Sequence, residues 1–417
     1  MRSVKLTLDG EYWDSQIYSG ELILFGFDGG MHRIDWRQII DAIASRDSPI
    51  QTAVRVAFSD SDLFYNPKVR KILCDPALEH PIKSQLDQLA DVDLSASRAE
   101  WSQYWKEESS PFDFLTTDID IYYNKIFAAG DEGLYSSPRG VPNSSQYLIK
   151  KQASKHHDGS LMQIRASDRF TAVAAAGGSD GLFEFEFLRA DDSVLKEPRL
   201  LANRACSACD WAFQSVIGWT TDSAFLANFT QQTDPHSKKQ IRSFDRIVET
   251  EEIFEGSRSL ASKTAFTWGS REKIYRLTDD GVEVTNYAPA KKKNGKQKAA
   301  VPNRESFSPQ GQTGKLNQQL FESPIATGTA PFGTILEYDD KLVILRSDGI
   351  SETYPGEPVH WRVFPRSEHY SNQLHIIYED RLLIVSFVHD YFVDQTSKLY
   401  GFSRGPNERK SDEELQY

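Results

Sequence analysis

Residues 169–187 read RFTAVAAAGGSDGLFEFEF. An apolar run reaches Ala176, a tight turn follows at Gly177-Gly178-Ser179-Asp180-Gly181, and a second run alternates Phe183, Phe185 and Phe187 with Glu184 and Glu186. Period-two alternation places one set of side chains on one face, so the second run is a strand with a buried side. Glycine and aspartate supply the positive φ angles of a tight hairpin. A phosphate-binding loop would need a helix after its glycines, where amides and dipole face the anion. The strand LFEFEF stands there instead, so the stretch is a hairpin.

Six further units of this kind occur. Glu21 to Phe27 turns at Asp28-Gly29-Gly30 into MHRIDW, and Lys125-IFAAG turns at Asp131-Glu132-Gly133 into LYSS. Trp211 to Thr220 turns at Thr221-Asp222-Ser223 into AFLANF, and Thr264-AFTWGS leads through REK to Ile274-YRLT and then through Asp279-Asp280-Gly281 to VEVTNY. Gly333-TILEY turns at Asp339-Asp340 into LVILR, and Leu374-HIIY turns at Glu379-Asp380 into LLIVSFV. Starts near Glu21, Lys125, Arg169, Phe213, Thr264, Phe332 and Gln373 recur at roughly 40–50 residues once two long gaps are removed. One gap holds residues 61–112. Asn66-Pro67 there resembles a capped helix start, and Ile82, Leu86 and Leu89 have helical spacing. The other holds 288–317, rich in Lys, Gly and Gln and expected to be a flexible loop. Thr52 to Phe58 (TAVRVAF) reads as a strand.

The spacing and the strand–turn–strand units resemble a divergent β-propeller, similar in plan to WD-repeat proteins. No repeated Gly-His and Trp-Asp pair is present, and Asp35-Trp36 has the reversed order. The resemblance implies an all-β chain forming one seven-bladed propeller over residues 1–417, with a helical insertion in the first blade and a disordered tail at 405–417. Two stacked β-domains are the competing architecture. Closure of a propeller removes exposed strand edges. The strands Val4–Leu8 and Lys398-LYGF are expected to share a blade for that reason. Ala174-Ala175-Ala176 offers the small side chains needed where blades converge.

Composition narrows the function classes. The 417 residues are 39% hydrophobic and 12% aromatic, which suffices for a sheet-rich core. A net charge of −12 and a pI near 5.3 oppose general nucleic-acid binding, which needs a basic face. The opening residues lack the apolar core of a secretory signal, and no run is long enough to cross a bilayer. Three cysteines make no disulfide framework. The expected compartment is the cytoplasm, with no membrane partner.

Candidate chemistry is sparse. Cys206-Ser207-Ala208-Cys209 is a CxxC without the further ligands of a zinc site or the βαβ setting of a redox motif, so buried thiols are expected. None of the nine histidines has HExxH spacing. Asp60-Ser61-Asp62 and Asp118-Ile119-Asp120 could present two carboxylates on one face. Turn chemistry accounts for the first pair and edge protection for the second. Lys291, Lys292, Lys293, Lys296 and Lys298 form the dense basic run, a contact for phosphate-bearing partners if it is more than a solvated loop. Trp101 and Trp105 read as lying on one helical face with Tyr104 beside them, either packing the insertion onto a blade or anchoring a partner.

These readings converge on a non-enzymatic scaffold without cofactor or metal, holding protein partners on its loops. A subunit of a bacterial multi-protein effector or regulatory complex is one setting for such a platform. The alternatives are a hydrolase or lyase with a site at the central channel, and nucleic-acid contact through the lysine loop.

Overall fold

A computed structural model describes the chain except residues 47, 60–65, 141–152, 188–194, 234–239, 256–262, 289–304, 310–322, 395–397, 399 and 404–417. The lysine run from Lys291 to Lys298 and the tail at 405–417 lie outside the described residues. Two compact units partition the chain: Met1–Ser110 with Ile325–Tyr417, and Pro111–Pro324.

The second unit holds four sheets, each of four consecutive antiparallel strands. They are Thr116–Tyr122, Lys125–Gly130, Gly133–Pro138 and Ser154–His157 (blade 2); Gln163–Ala166, Ala172–Ala176, Leu182–Glu186 and Arg199–Ala202 (blade 3). Next come Ala208–Ala212, Ser215–Trp219, Ala224–Thr233 and Gln240–Glu249 (blade 4), then Thr264–Ser270, Lys273–Thr278, Gly281–Ala288 and Ser306–Pro309 (blade 5). The opening hairpin is the central pair of blade 3, with Ala174 opposite Glu184 and Ala176 opposite Leu182. Its three alanines are fully buried on the second strand. Blade 5 corrects two expectations. Its second and third strands turn at Asp279-Asp280, so Thr264–Ser270 is a first strand, and Ser306–Pro309 is a strand inside the stretch expected as a loop.

The first unit holds three sheets. Blade 1 is Asp14–Tyr18, Glu21–Phe25, Gly30–Asp35 and Trp105–Ser109, and blade 6 is Ala326–Ala330, Gly333–Tyr338, Lys341–Arg346 and Ser351–Pro355. Blade 7 takes His360–Val363, Gln373–Ile377 and Arg381–Ser386 from late in the chain and Val4–Asp9 from its beginning. Val4 pairs with Ser386 and Asp9 with Arg381. The closing partner is therefore Arg381–Ser386, not Lys398-LYGF. Tyr400 and Phe402 are buried but form no strand, and Gly401 packs against the backbone of Ala330 and Pro331. Leu94–Ala96 adds a parallel fifth strand and covers the edge that Val4–Asp9 would expose. Seven sheets of this pattern among the described residues are the blades of a seven-bladed β-propeller, an all-β fold.

Between the third and fourth strands of blade 1 lie α1 (Trp36–Ala44), α2 (Gln51–Phe58), α3 (Pro67–Leu73), α4 (Pro76–Leu89) and α5 (Arg98–Trp101). The helical region thus starts at Trp36, ahead of residue 61. The α1 start is set by Asp35, whose Oδ1 accepts the Gln38 amide at 3.0 Å. Asn66 caps α3 by accepting from Lys68 N at 3.0 Å. The strand expected at Thr52–Phe58 is α2. Ala53, Val54, Ala57 and Phe58 are its buried residues, a spacing that fits one helical stripe, and packing against α1 and α4 selects the helix.

Candidate interaction surface

Asp118 on the first strand of blade 2 accepts Ile164 N at 2.8 Å and Arg165 Nη1 at 2.9 Å, both from the first strand of blade 3. Asp120 accepts Ala166 N at 3.0 Å. One blade further, Gln163 Oε1 accepts Cys209 N at 2.8 Å, and Trp211 Nε1 donates to Arg165 O at 2.8 Å. Four of these bonds span the same 46 residues of sequence. The first strands of blades 3 and 4 are sheet edges, and Ile164, Ala166 and Cys209 on them donate their outward amides to side chains of the preceding blade. Carboxylates two apart on a strand share a face, so Asp118 and Asp120 reach alternate amides of their neighbour. Edge protection is what this DxD pair does. Asp60-Ser61-Asp62 lies outside the described residues except for its flank.

That frame fixes the turns at each end of the blades. At one end the turns between second and third strands are joined by the links from one blade to the next. Ser160 Oγ, in the link from blade 2 to blade 3, donates to Asp131 at 3.1 Å. Gly178 N donates to Cys206 O at 2.9 Å, Cys206 N returns the bond to Gly178 O at 2.8 Å, and Ser207 N reaches Trp219 O at 2.8 Å. Trp219 stacks on Phe266 of blade 5 with centroids 4.6 Å apart. The turns of blades 2 to 5 in this unit carry Asp131, Glu132, Asp180, Asp222, Asp279 and Asp280, all exposed, and contain no lysine or arginine. Local chemistry needs only part of this. Thr220 Oγ1 holds the blade 4 turn by accepting Ser223 N at 3.0 Å, and Gly133 adopts φ +125° with His157 O so close that no Cβ fits. Three large apolar side chains stand exposed at the same end: Leu115 (81%) beside Gly130, Met162 (49%) over Gly178 and Leu200 (48%) beside Gly181.

The other end of these blades is different. Its turns between first and second strands carry Asp168, Arg169, Arg271 and Glu272, which neutralise one another. Arg169 meets Glu272 at 2.8 Å and Arg271 meets Asp168 at 3.5 Å.

The aromatic residues singled out by the sequence lie in the first unit. Trp101 ends α5 and is fully buried, its Nε1 donating to Asp9 O at 3.2 Å. Trp105 opens the fourth strand of blade 1, stacks on His32 at 4.3 Å, and meets the edge of Trp101 at 4.6 Å. Tyr104 sits between them, half-buried, on the rim of a cleft of about 190 Å³ floored by Ile39, Ile43 and Trp101. Arg46 and Glu100 close that rim by pairing at 3.1 Å. The three aromatics therefore occupy a helix end, a connecting turn and a strand, not one helical face.

Cys206 and Cys209 are buried free thiols. Burial pushes Cys206 up to about 12 and raises Cys209 well above the ordinary thiol value, so neither ionises near neutrality. Among the described residues no group of three or more His, Cys, Asp or Glu is placed to hold a metal ion, and no helix is long and apolar enough to cross a membrane. What sequence reasoning missed is the acidic end itself. Its signal was present in every turn motif but was absorbed into hairpin chemistry.

No family model matches the chain, and no curated protein matches it. Among solved structures it is similar to the WD40 β-propeller domain of Doa1, with 8% identity over 92% of this chain and 97% of that one at a TM-score of 0.45. It is also similar to the AfRom2 CNH domain, with 10% identity over 65% and 94% at 0.33. A third is the computationally designed Ika8 protein, with 9% identity over 90% and 83% at 0.41. The fold assignment rests on the seven sheets described above.

Proposed function

We propose that this chain is a non-enzymatic protein-interaction scaffold that docks partners on the end of blades 2 to 5 formed by the second-to-third-strand turns. The supporting observation is Leu115, Met162 and Leu200, large apolar side chains held in solvent around glycine turns on a rigid frame. Exposed apolar side chains grouped within polar surroundings are what interfaces bury. Turns on a fixed frame also place them without ordering cost at the moment of binding.

The test is gentle purification from the native host at native expression, followed by sizing and mass spectrometry. Stoichiometric co-elution with another protein is expected, and Leu115→Ser with Met162→Ser should abolish it. Elution alone would overturn the scaffold reading.

A further inference from the structure

We infer that the partner segment received at this end of blades 2 to 5 is basic: a polypeptide stretch with several lysines or arginines and one or two apolar anchors. The inference rests on the scaffold reading and names its partner's chemistry. Four adjacent turns present Asp131, Glu132, Asp180, Asp222, Asp279 and Asp280 with no cation among them. Among the described residues at this end, Arg204 holds Glu249 by two 3.0 Å bonds and Lys155 lies 2.6 Å from Asp158, while Lys263, which leads into the first strand of blade 5, is exposed outside the turns. Turn chemistry asks for one aspartate or asparagine beside glycine. It does not ask for a glutamate at 132, for the doublet Asp279-Asp280, or for the exclusion of lysine, a residue exposed turns accept readily. The same unit shows at its other end that mixed, mutually paired charge is compatible with the fold. A row of turns of one sign focuses potential toward a counter-charged partner and repels like-charged ones, nucleic acid included. The exposed Leu115, Met162 and Leu200 distinguish a polypeptide from a small polycation, because only the former brings apolar side chains to cover them.

The experiment selects binders to the full-length chain from a random-peptide display library. Affinities of the selected peptides are then measured for wild type, for the variant Asp131→Asn, Glu132→Gln, Asp180→Asn, Asp279→Asn, Asp280→Asn, and for Asp168→Asn, Glu272→Gln at the opposite end. Enrichment of net-positive peptides with apolar residues is expected. The five-fold amide variant should lower affinity at least tenfold, the opposite-end variant less than twofold. Neutral or acidic enrichment, no enrichment, or equal loss in both variants would overturn the inference. Should the amide variant unfold in urea earlier than wild type, the salt dependence of the wild-type chain decides. A tenfold or greater loss between 50 and 500 mM NaCl supports it, and indifference to salt overturns it. Stoichiometric co-purification that survives the amide substitutions would leave the scaffold standing while this inference falls.

Discussion

The two ends of blades 2 to 5 are built on the same strands and differ in how they treat charge. At the end of the first-to-second-strand turns, Asp168, Arg169, Arg271 and Glu272 satisfy one another. At the other end, carboxylates accumulate without a counter-charge in the turns. The strands cannot require this, since they serve both ends equally. The difference is between one set of turns whose charges pair with one another and another set whose charges are all of one sign, and the proposed basic partner rests on that contrast.

The sharpest way to break this comparison is to break the frame both ends depend on. Asp118→Ala strands Ile164 N and leaves Arg165 with Asp210 at 3.7 Å as its remaining carboxylate, and should cost about 1–3 kcal/mol in urea unfolding. A loss under 1 kcal/mol would mean that the first-strand ladder does not set the geometry of the ends.

Acid tests whether charge can be forced into that frame's counterpart in the first unit. Burial holds His375 down at about 3, with Ser15 Oγ 3.1 Å from its Nδ1. Burial, then the Arg346 charge, holds His389 at about 3 against the opposing pull of Asp348. Both pKa values fall on folding, so the stability they contribute is complete above pH 6.5 and is lost as pH drops toward 3. Between pH 7 and 5 each should cost roughly 2 kcal/mol. Substituting His375→Gln should remove about half of that pH dependence of the urea midpoint, leaving the share of His389.

Smaller effects separate the ends directly. Arg169→Ala removes an exposed ion pair and should cost less than about 1 kcal/mol, most of it lost in 0.5 M NaCl. Asp279→Asn with Asp280→Asn should move stability by no more than about 0.5 kcal/mol in either direction. A larger destabilisation would show that the acidic turns serve the fold, and the contrast between the ends would lose its meaning.

Much of the architecture was legible because hairpin chemistry is local. Short acidic and glycine turns between alternating apolar residues located the central pair of blades 1, 2, 3, 4, 6 and 7 and the first three strands of blade 5. Elements decided by distant packing were not legible. TAVRVAF alternates well enough for a strand, yet α1 and α4 offer its Ala53, Val54, Ala57 and Phe58 a helical seat. The partner of Val4–Asp9 was placed at Lys398-LYGF and is Arg381–Ser386, because the pairing depends on which edge the last blade leaves open. The surface was readable as residues but not as a place. Each acidic turn looks like ordinary turn chemistry until the links through Ser160, Cys206 and Ser207 and the Trp219–Phe266 stack bring four of them to one end.

The clasp between Val4–Asp9 and Arg381–Ser386 has a mechanical consequence. Val4 lies opposite Ser386, so the two directions in which the chain leaves this pair are at the same end of the ladder. Once the residues beyond Ser386 come free, tension between the chain's ends would load one pair at a time, peeling rather than shearing. The ladder's hydrogen bonds would fail in sequence from Val4 toward Asp9. A propeller closed in this way would yield early to a pull along its own chain.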